Sequence, residues 1–204
     1  TDTEVELVAR ITLEEPAQPG EITVPARKLM DICKNLPTDA LIDFKVDDQK
    51  VLIKAGRSRF TLTTLPATDF PSSEETPGSL AFTVEQGHVR HLIERTSFAM
   101  AQQDVRYYLN GLLLEAKQGQ LRAVATDGHR LALCSVPAQI SEDIQHQVIV
   151  PRKGVLELAR LMSEDSTEVA VVFGSNYIRA TTADFTFISK LVDGKFPDYE
   201  RVLP

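Results

Sequence analysis

The chain has 204 residues, 43% of them apolar and 25% charged, with 10 Gly and 11 Pro. This ordinary globular composition excludes collagen-like, low-complexity and wholly disordered chains. A length of this order suits one large domain or two of about 100 residues, and no apolar run approaches the ~20 residues that span a bilayer. The net charge of −7, taken alone, argues against a nucleic-acid partner, because phosphate binding needs clustered Lys and Arg. The start shows no charged segment followed by an apolar stretch, so no secretory signal is visible. Cys33 and Cys134 are the two cysteines, too few for a disulfide framework or a zinc site. Both features point to a reducing cytoplasm and to a protein without a metal or cofactor.

Taken in chain order, Val5, Leu7, Ala9, Ile11 and Leu13 alternate with mostly polar neighbours, the period of a half-buried strand. Leu29, Ile32, Cys33 and Leu36 share one face of a helix predicted over 26–36, which Pro37 stops. Strands follow at 41–46, 51–54 and 58–65, separated by Asp47-Asp48 and Gly56. Residues 66–78 hold three Pro among Ser, Thr and Glu and read as an interdomain linker. Val89, Leu92, Ile93 and Phe98 mark a helix within 84–100. A second helix-and-strands series comes late, with Val155, Leu158, Ala159 and Met162 on one helical face and strands at 169–173, 177–181 and 185–192.

The late series repeats the early one. Ile22-Thr23-Val24-Pro25-Ala26-Arg27-Lys28 returns as Val148-Ile149-Val150-Pro151-Arg152-Lys153, with the prolines 126 residues apart. Phe70-Pro71 returns as Phe196-Pro197 at the same offset, and Thr1-Asp2 as Thr126-Asp127 at 125. Landmarks in register over such a stretch indicate a duplicated domain of about 126 residues. Residues 1–78 then read as the later part of one domain with its linker, and 79–204 as a whole second domain. On this reading some 45 residues of the first domain precede the sequence. The fold class is α+β: duplicated strand-helix-three-strand units, with helices on one face of mostly antiparallel sheets.

The charge is segregated. The helical segments 26–36 and 152–162 each carry +2 and segment 84–100 is neutral, so the rest of the chain carries −11. Basic helices on an acidic remainder suit DNA passing along the helical side and being repelled elsewhere. The Arg-Lys pairs also sit at helix starts, where the macrodipole disfavours cations, so local helix stability does not account for them.

Four motifs, with a fifth near the end, carry a family resemblance. Val24-Pro25-Ala26-Arg27-Lys28, Gly56-Arg57-Ser58-Arg59-Phe60, the segment Gln103-Asp104-Val105-Arg106-Tyr107-Tyr108-Leu109-Asn110-Gly111, and Ala125-Thr126-Asp127-Gly128-His129-Arg130-Leu131-Ala132 are similar to segments of the bacterial sliding clamps, the beta subunits of DNA polymerase III. Ser189-Lys190-Leu191-Val192-Asp193-Gly194-Lys195-Phe196-Pro197-Asp198-Tyr199 fits as well. The resemblance spans essentially the whole chain. It implies the DNA-clamp fold and a homodimeric ring, each subunit having three similar domains, with helices inside and sheets outside. Such a ring encircles double-stranded DNA without reading sequence and tethers the polymerase. It also implies that the start of the first domain and the whole third domain lie outside this sequence.

The resemblance further implies two sites. A pocket for the short hydrophobic peptide motifs of the catalytic polymerase subunit, the clamp loader and repair polymerases falls on Leu109, Thr126, Gly128, His129, Arg130, Leu131, Pro197, Arg201 and Val202. Leu109, Leu131, Pro197 and Val202 supply apolar surface, while Thr126, His129, Arg130 and Arg201 supply polar groups for peptide backbone. DNA-facing residues fall on Arg27, Lys28, Gln102, Gln103, Arg106, Tyr107, Tyr108, Arg152 and Lys153, where cations meet phosphates and Gln or Tyr bond backbone or stack on bases. Gln102 stands where some clamps carry His. Tyr107 and Tyr108 read equally as adjacent strand residues on opposite faces, one of them packed.

Catalysis finds little support. Asp127, His129 and Ser135 lie near one another in sequence, but no group is evident to orient a base, and neither a nucleophile elbow nor a phosphate loop is present. His88 and His91 at i, i+3 lack a visible third metal ligand. The alternative reading is a generic protein-interaction module of duplicated α+β domains, against which the basic helices count.

Overall fold

A computed structural model of the chain describes residues 4–13, 18–47, 49–71 and 78–203. Two compact units emerge, one of residues 12–71 and one of residues 1–11 with 72–204. Thr1-Asp2 and part of the predicted linker, residues 72–77, lie outside the described residues.

The smaller unit holds helix α1 (Ala26–Lys34) and an antiparallel sheet of β2 (Asp43–Asp47), β3 (Lys50–Ala55) and β4 (Ser58–Thr63), in that order. Pro25 immediately precedes α1 with φ −62°, a value its ring imposes and the helix accepts. The helix ends at Lys34, three residues before Pro37, and the Asn35 side chain donates to the Asp31 carbonyl at 2.8 Å. Gly56, with φ +56°, makes the turn between β3 and β4. Val51, Ile53 and Leu62 form a small core under Val24, Leu29 and Ile32.

The larger unit contains two sheets. One runs β8 (Leu131–Pro137), β7 (Gln120–Thr126), β6 (Gly111–Lys117), β9 (Gln145–Pro151). The other runs β1 (Val5–Ala9), β12 (Phe185–Lys190), β11 (Tyr177–Thr181), β10 (Glu168–Phe173), β5 (Leu80–Glu85). All of these pairings are antiparallel. Helices α2 (Gln86–Thr96) and α3 (Arg152–Leu161) pack on each other, α2 also against β7 and β8 and α3 against β6 and β9. From β5 onward the order is strand, helix, three strands, twice over, as the duplicated pattern predicts. The strands at 169–173 and 177–181 are recovered to within a residue, whereas the long 84–100 helix breaks up. Its first residues belong to β5 and its last to a 3₁₀ turn, Ser97–Ala99.

Strand β1 belongs to the first copy by sequence and to the larger unit by hydrogen bonding: Val5–Ala9 pair with Ser189–Phe185 at the sheet's edge. The main core is formed by the helices and the inward residues of both sheets, among them Leu92, Leu112, Leu114, Val150, Leu158 and Phe173. Strand β6 does not alternate between buried and exposed. Residues 111–116 are all buried, because Leu112 and Leu114 face the helices while Leu113 faces a second cluster on the sheet's other side. That second cluster positions the candidate site.

Candidate peptide and nucleic-acid interface

The second cluster consists of Ala101, Leu109, Leu113, Val124, Ile149, Phe196 and Tyr199, with Tyr108, Leu131 and Val192 packed against it. It draws together parts of the chain some 90 residues apart. Of the predicted pocket residues, Leu109 is fully buried inside it and Leu131 half-buried at its margin. Phe196 and Tyr199 insert into it; exposed Pro197 lies between them, and exposed Arg201 and Val202 follow shortly after Tyr199. Val202 is 69% exposed, so this aliphatic side chain is free to take a ligand's apolar group.

Thr126, Gly128, His129 and Arg130 share the loop joining β7 to β8, closed by the Thr126–Leu131 pair. Its own side chains hold it. Thr126 Oγ1 donates to the Arg130 carbonyl (2.7 Å) and accepts from the Gly128 amide (3.1 Å). The Asp127 carboxylate accepts from the amides of His129 and Arg130 and from Arg130 Nε, at 2.9–3.1 Å. Those bonds hold Asp127 well below the ordinary carboxylate range, at about 2. They also give Asp127 a structural duty, closing a turn, in place of the acid–base partnership weighed for Asp127 and His129. Arg130 reaches on to the Phe98 carbonyl (2.8 Å) and lies over the Phe98 ring, 5.6 Å from its centre. Gly128 has φ +88°, a left-handed conformation that favours glycine, and a Cβ there would crowd the Arg106 guanidinium at 3.0 Å.

The 102–108 segment adjoins this loop. Asn110 closes it by exchanging two hydrogen bonds with the Asp104 backbone, at 2.9 and 3.0 Å. Arg106, expected to face DNA, is not a free cation. It pairs with Asp104 (2.8 Å), which drops to about 2 through the side-chain and backbone bonds from Arg106, and it donates to the Asp127 carbonyl at 3.3 Å. Tyr107 and Tyr108 occupy a 3₁₀ turn, Tyr107–Leu109, and not the strand that the alternate reading assumed. Tyr107 is exposed and Tyr108 half-buried in the cluster, their rings edge to face at 5.8 Å. Gln102 and Gln103 are exposed, Gln103 with φ +55°.

Arg152 starts α3 beside this segment, its amide donating to the Asn110 carbonyl at 3.1 Å. Its guanidinium is partly drawn in: Nη1 is buried without a hydrogen-bond partner among the described residues. Lys153 is exposed, as are Arg27 and Lys28 on α1 in the other unit. Among the described residues no three His, Cys, Asp or Glu side chains converge to hold a metal ion, and His88 lies 4.0 Å from Glu85.

With this geometry in place, comparison with known proteins is informative. Residues 83–198 match the central domain of the DNA polymerase III beta subunit, and residues 1–74 match its N-terminal domain. The chain belongs to the DNA polymerase III beta subunit family. It is 72% identical over 204 residues to the beta sliding clamp of Pseudomonas putida and 54% identical over 205 residues to that of Escherichia coli K12. All of the chain is matched, but it spans 56% of the length of either relative. Among solved structures, a Pseudomonas aeruginosa sliding clamp bound to griselimycin matches with a TM-score of 0.97 at 71% identity. The Bacillus subtilis clamp matches with 0.92 at 28%, and the chain covers 55% of each. No helix among the described residues is long and apolar enough to cross a membrane.

The sequence did not reveal the polar groups beneath the cluster: Glu115, Arg122, Gln147 and Tyr199. Only their register brings them together, and no local motif marks it.

Proposed function

We propose that this chain is the central arc of a sliding clamp, a non-catalytic processivity subunit in the cytoplasm. As a homodimeric ring its full-length form encircles double-stranded DNA and tethers polymerases and the clamp loader through their short hydrophobic peptide motifs. Residues 1–78 are the later part of the first clamp domain and 79–204 the second, with no cofactor required. The observation that carries this reading is the meeting of Leu109 and Leu131 with the 196–202 segment on one apolar cluster, bordered by the polar loop 126–130. An apolar floor with a few fixed polar groups suits a peptide with apolar anchors. Two buried anchors contribute roughly 3–6 kcal/mol before ordering costs, so each partner binds weakly and can exchange. We infer that the full-length form of this chain also binds griselimycin, with which a clamp 71% identical to this chain has been solved.

The test uses the full-length clamp. Leu131→Ala with Val202→Ala should weaken a partner-derived peptide by about tenfold or more in fluorescence anisotropy. Unchanged binding would refute the pocket. For DNA, Arg27→Glu, Lys28→Glu and Lys153→Glu together should shorten retention on nicked circular DNA and flatten its salt dependence by about one logarithmic unit per lost phosphate contact. Equal retention would place those cations away from DNA.

A further inference from the structure

Beneath the 196–202 segment, four strands set one row of polar side chains across the sheet. Glu115 on β6 lies directly opposite Gln147 on β9 and Arg122 on β7, and Arg122 lies opposite Ser135 on β8. The row is bonded throughout. Gln147 Nε2 donates to Glu115 Oε1 at 2.6 Å, Arg122 Nη1 lies 3.6 Å from Glu115 Oε2, and Arg122 Nε donates to Ser135 Oγ at 3.1 Å. Tyr199 descends onto it. Its hydroxyl donates to Glu115 Oε2 at 2.6 Å and accepts from Arg122 Nη1 at 3.0 Å. Burial alone would raise Glu115, but the bonds from Tyr199 and Gln147 and the charges of Lys117 and Arg122 outweigh it and hold the carboxylate ionised. Burial and the bond to Glu115 push the Tyr199 hydroxyl up to about 12.

Glu115 is 1% exposed and Tyr199 4%, so no ligand touches either. Yet Tyr199 is the first residue of the 3₁₀ turn Tyr199–Val202, and the rest of that turn is exposed. The turn's other polar contacts are at the surface or longer: Glu200 bonds Lys117 at 3.2 Å and lies 3.8 Å from Arg122 Nη1, and Arg201 pairs with Asp198 at 2.7 Å. Packing within the apolar cluster holds the Tyr199 ring, and its hydroxyl is the one part that meets polar groups. Two short directional bonds there fix where the hydroxyl end of the ring lies. A buried charge costs desolvation that an apolar residue would avoid, so its contribution is better sought in geometry than in stability.

We propose that the Gln147–Glu115–Arg122 row, gripping Tyr199, is the positioning device of the peptide pocket: it fixes the turn so that Arg201 and Val202 face the ligand beside Leu131. The proposal rests on the peptide-site reading above, and its test separates the two. In the full-length clamp, Tyr199→Phe and Glu115→Gln should each weaken the partner-derived peptide by about fivefold. Amide exchange at residues 200–203 should accelerate, while DNA retention stays within about twofold of wild type, a split that general destabilisation does not produce. Glu115→Leu combined with Tyr199→Phe removes the grip and leaves the Arg122 guanidinium, 26% exposed, with Ser135 Oγ at 3.1 Å and Glu200 Oε1 at 3.8 Å as its partners. It should melt near the wild-type temperature yet bind peptide as weakly, which keeps the test valid if a single variant folds poorly. Wild-type peptide affinity in Tyr199→Phe and in the double variant, alongside the loss expected for Leu131→Ala with Val202→Ala, overturns the positioning role and leaves the pocket standing. If that pocket variant too binds as wild type, both readings fall.

Discussion

Helices α1 and α3 are built alike and buried differently. Each follows a proline with φ near −60°, opens with an Arg-Lys pair and carries apolar residues at helical spacing. Yet no residue of α1 is buried, whereas α3 buries Gly154, Val155 and Leu158. The copies diverge again at their paired phenylalanines: Phe70 is 47% exposed and Phe196 6%. The difference lies in the layer above. In the larger unit α3 has α2 beside it, and Phe196 has Leu109, Leu113 and Val124 to close on. In the smaller unit Leu29 and Ile32 of α1 are only half-buried, on a cluster of Val51, Ile53 and Leu62 that does not include Phe70. A repeated pattern thus encodes the element and its apolar face, but burial, and with it stability, comes from what that face meets.

Phenylalanine truncation should break or sharpen this contrast most. In this chain Phe196→Ala should cost about 3–5 kcal/mol in chemical denaturation and loosen the pocket segment with it. Phe70→Ala should cost less than about 1 kcal/mol, because little apolar surface is lost. Equal costs would mean that both copies have cores of the same quality. Next come the paired helix residues. Leu158→Ala should cost about 2–5 kcal/mol, and Ile32→Ala clearly less, each read from the transition of its own unit.

The smallest effect separates a loop held by its own side chains from one held by a core. Asp127 in the folded loop titrates at about 2, below the ordinary ~3.9 of the unfolded chain. Its contribution is therefore full above pH ~4 and lost as pH falls toward 2. The amide resonances of His129 and Arg130 should report a midpoint near 2, and a midpoint near 4 would mean that the carboxylate does not cap the turn.

Much of the fold was legible in the residues. Period-2 and period-3.6 patterns located most of the strands and all three helices, the middle one drawn too long, and the strand, helix, three-strand order expected of each unit recurs from β5 onward. The 127–130 turn was legible too, because the bonds that close it stay within five residues. The partners of Arg106 were harder to read: its guanidinium pairs with Asp104 two residues away and also donates to the Asp127 carbonyl of a loop about twenty residues on. Tyr107 and Tyr108 alternate as in a strand, but the Asp104–Asn110 closure winds them into a 3₁₀ turn.

What the sequence determined by itself is whatever neighbours within a few residues decide: which segments are helical or extended, where they stop, and which face is apolar. Tertiary structure alone decided which strand pairs with which. It set β1 at the edge of the larger unit's sheet, buried both faces of β6, and lined up Gln147, Glu115 and Arg122 under Tyr199. Register is settled by contacts between residues tens of positions apart, and only the assembled sheet brings those residues within hydrogen-bonding reach.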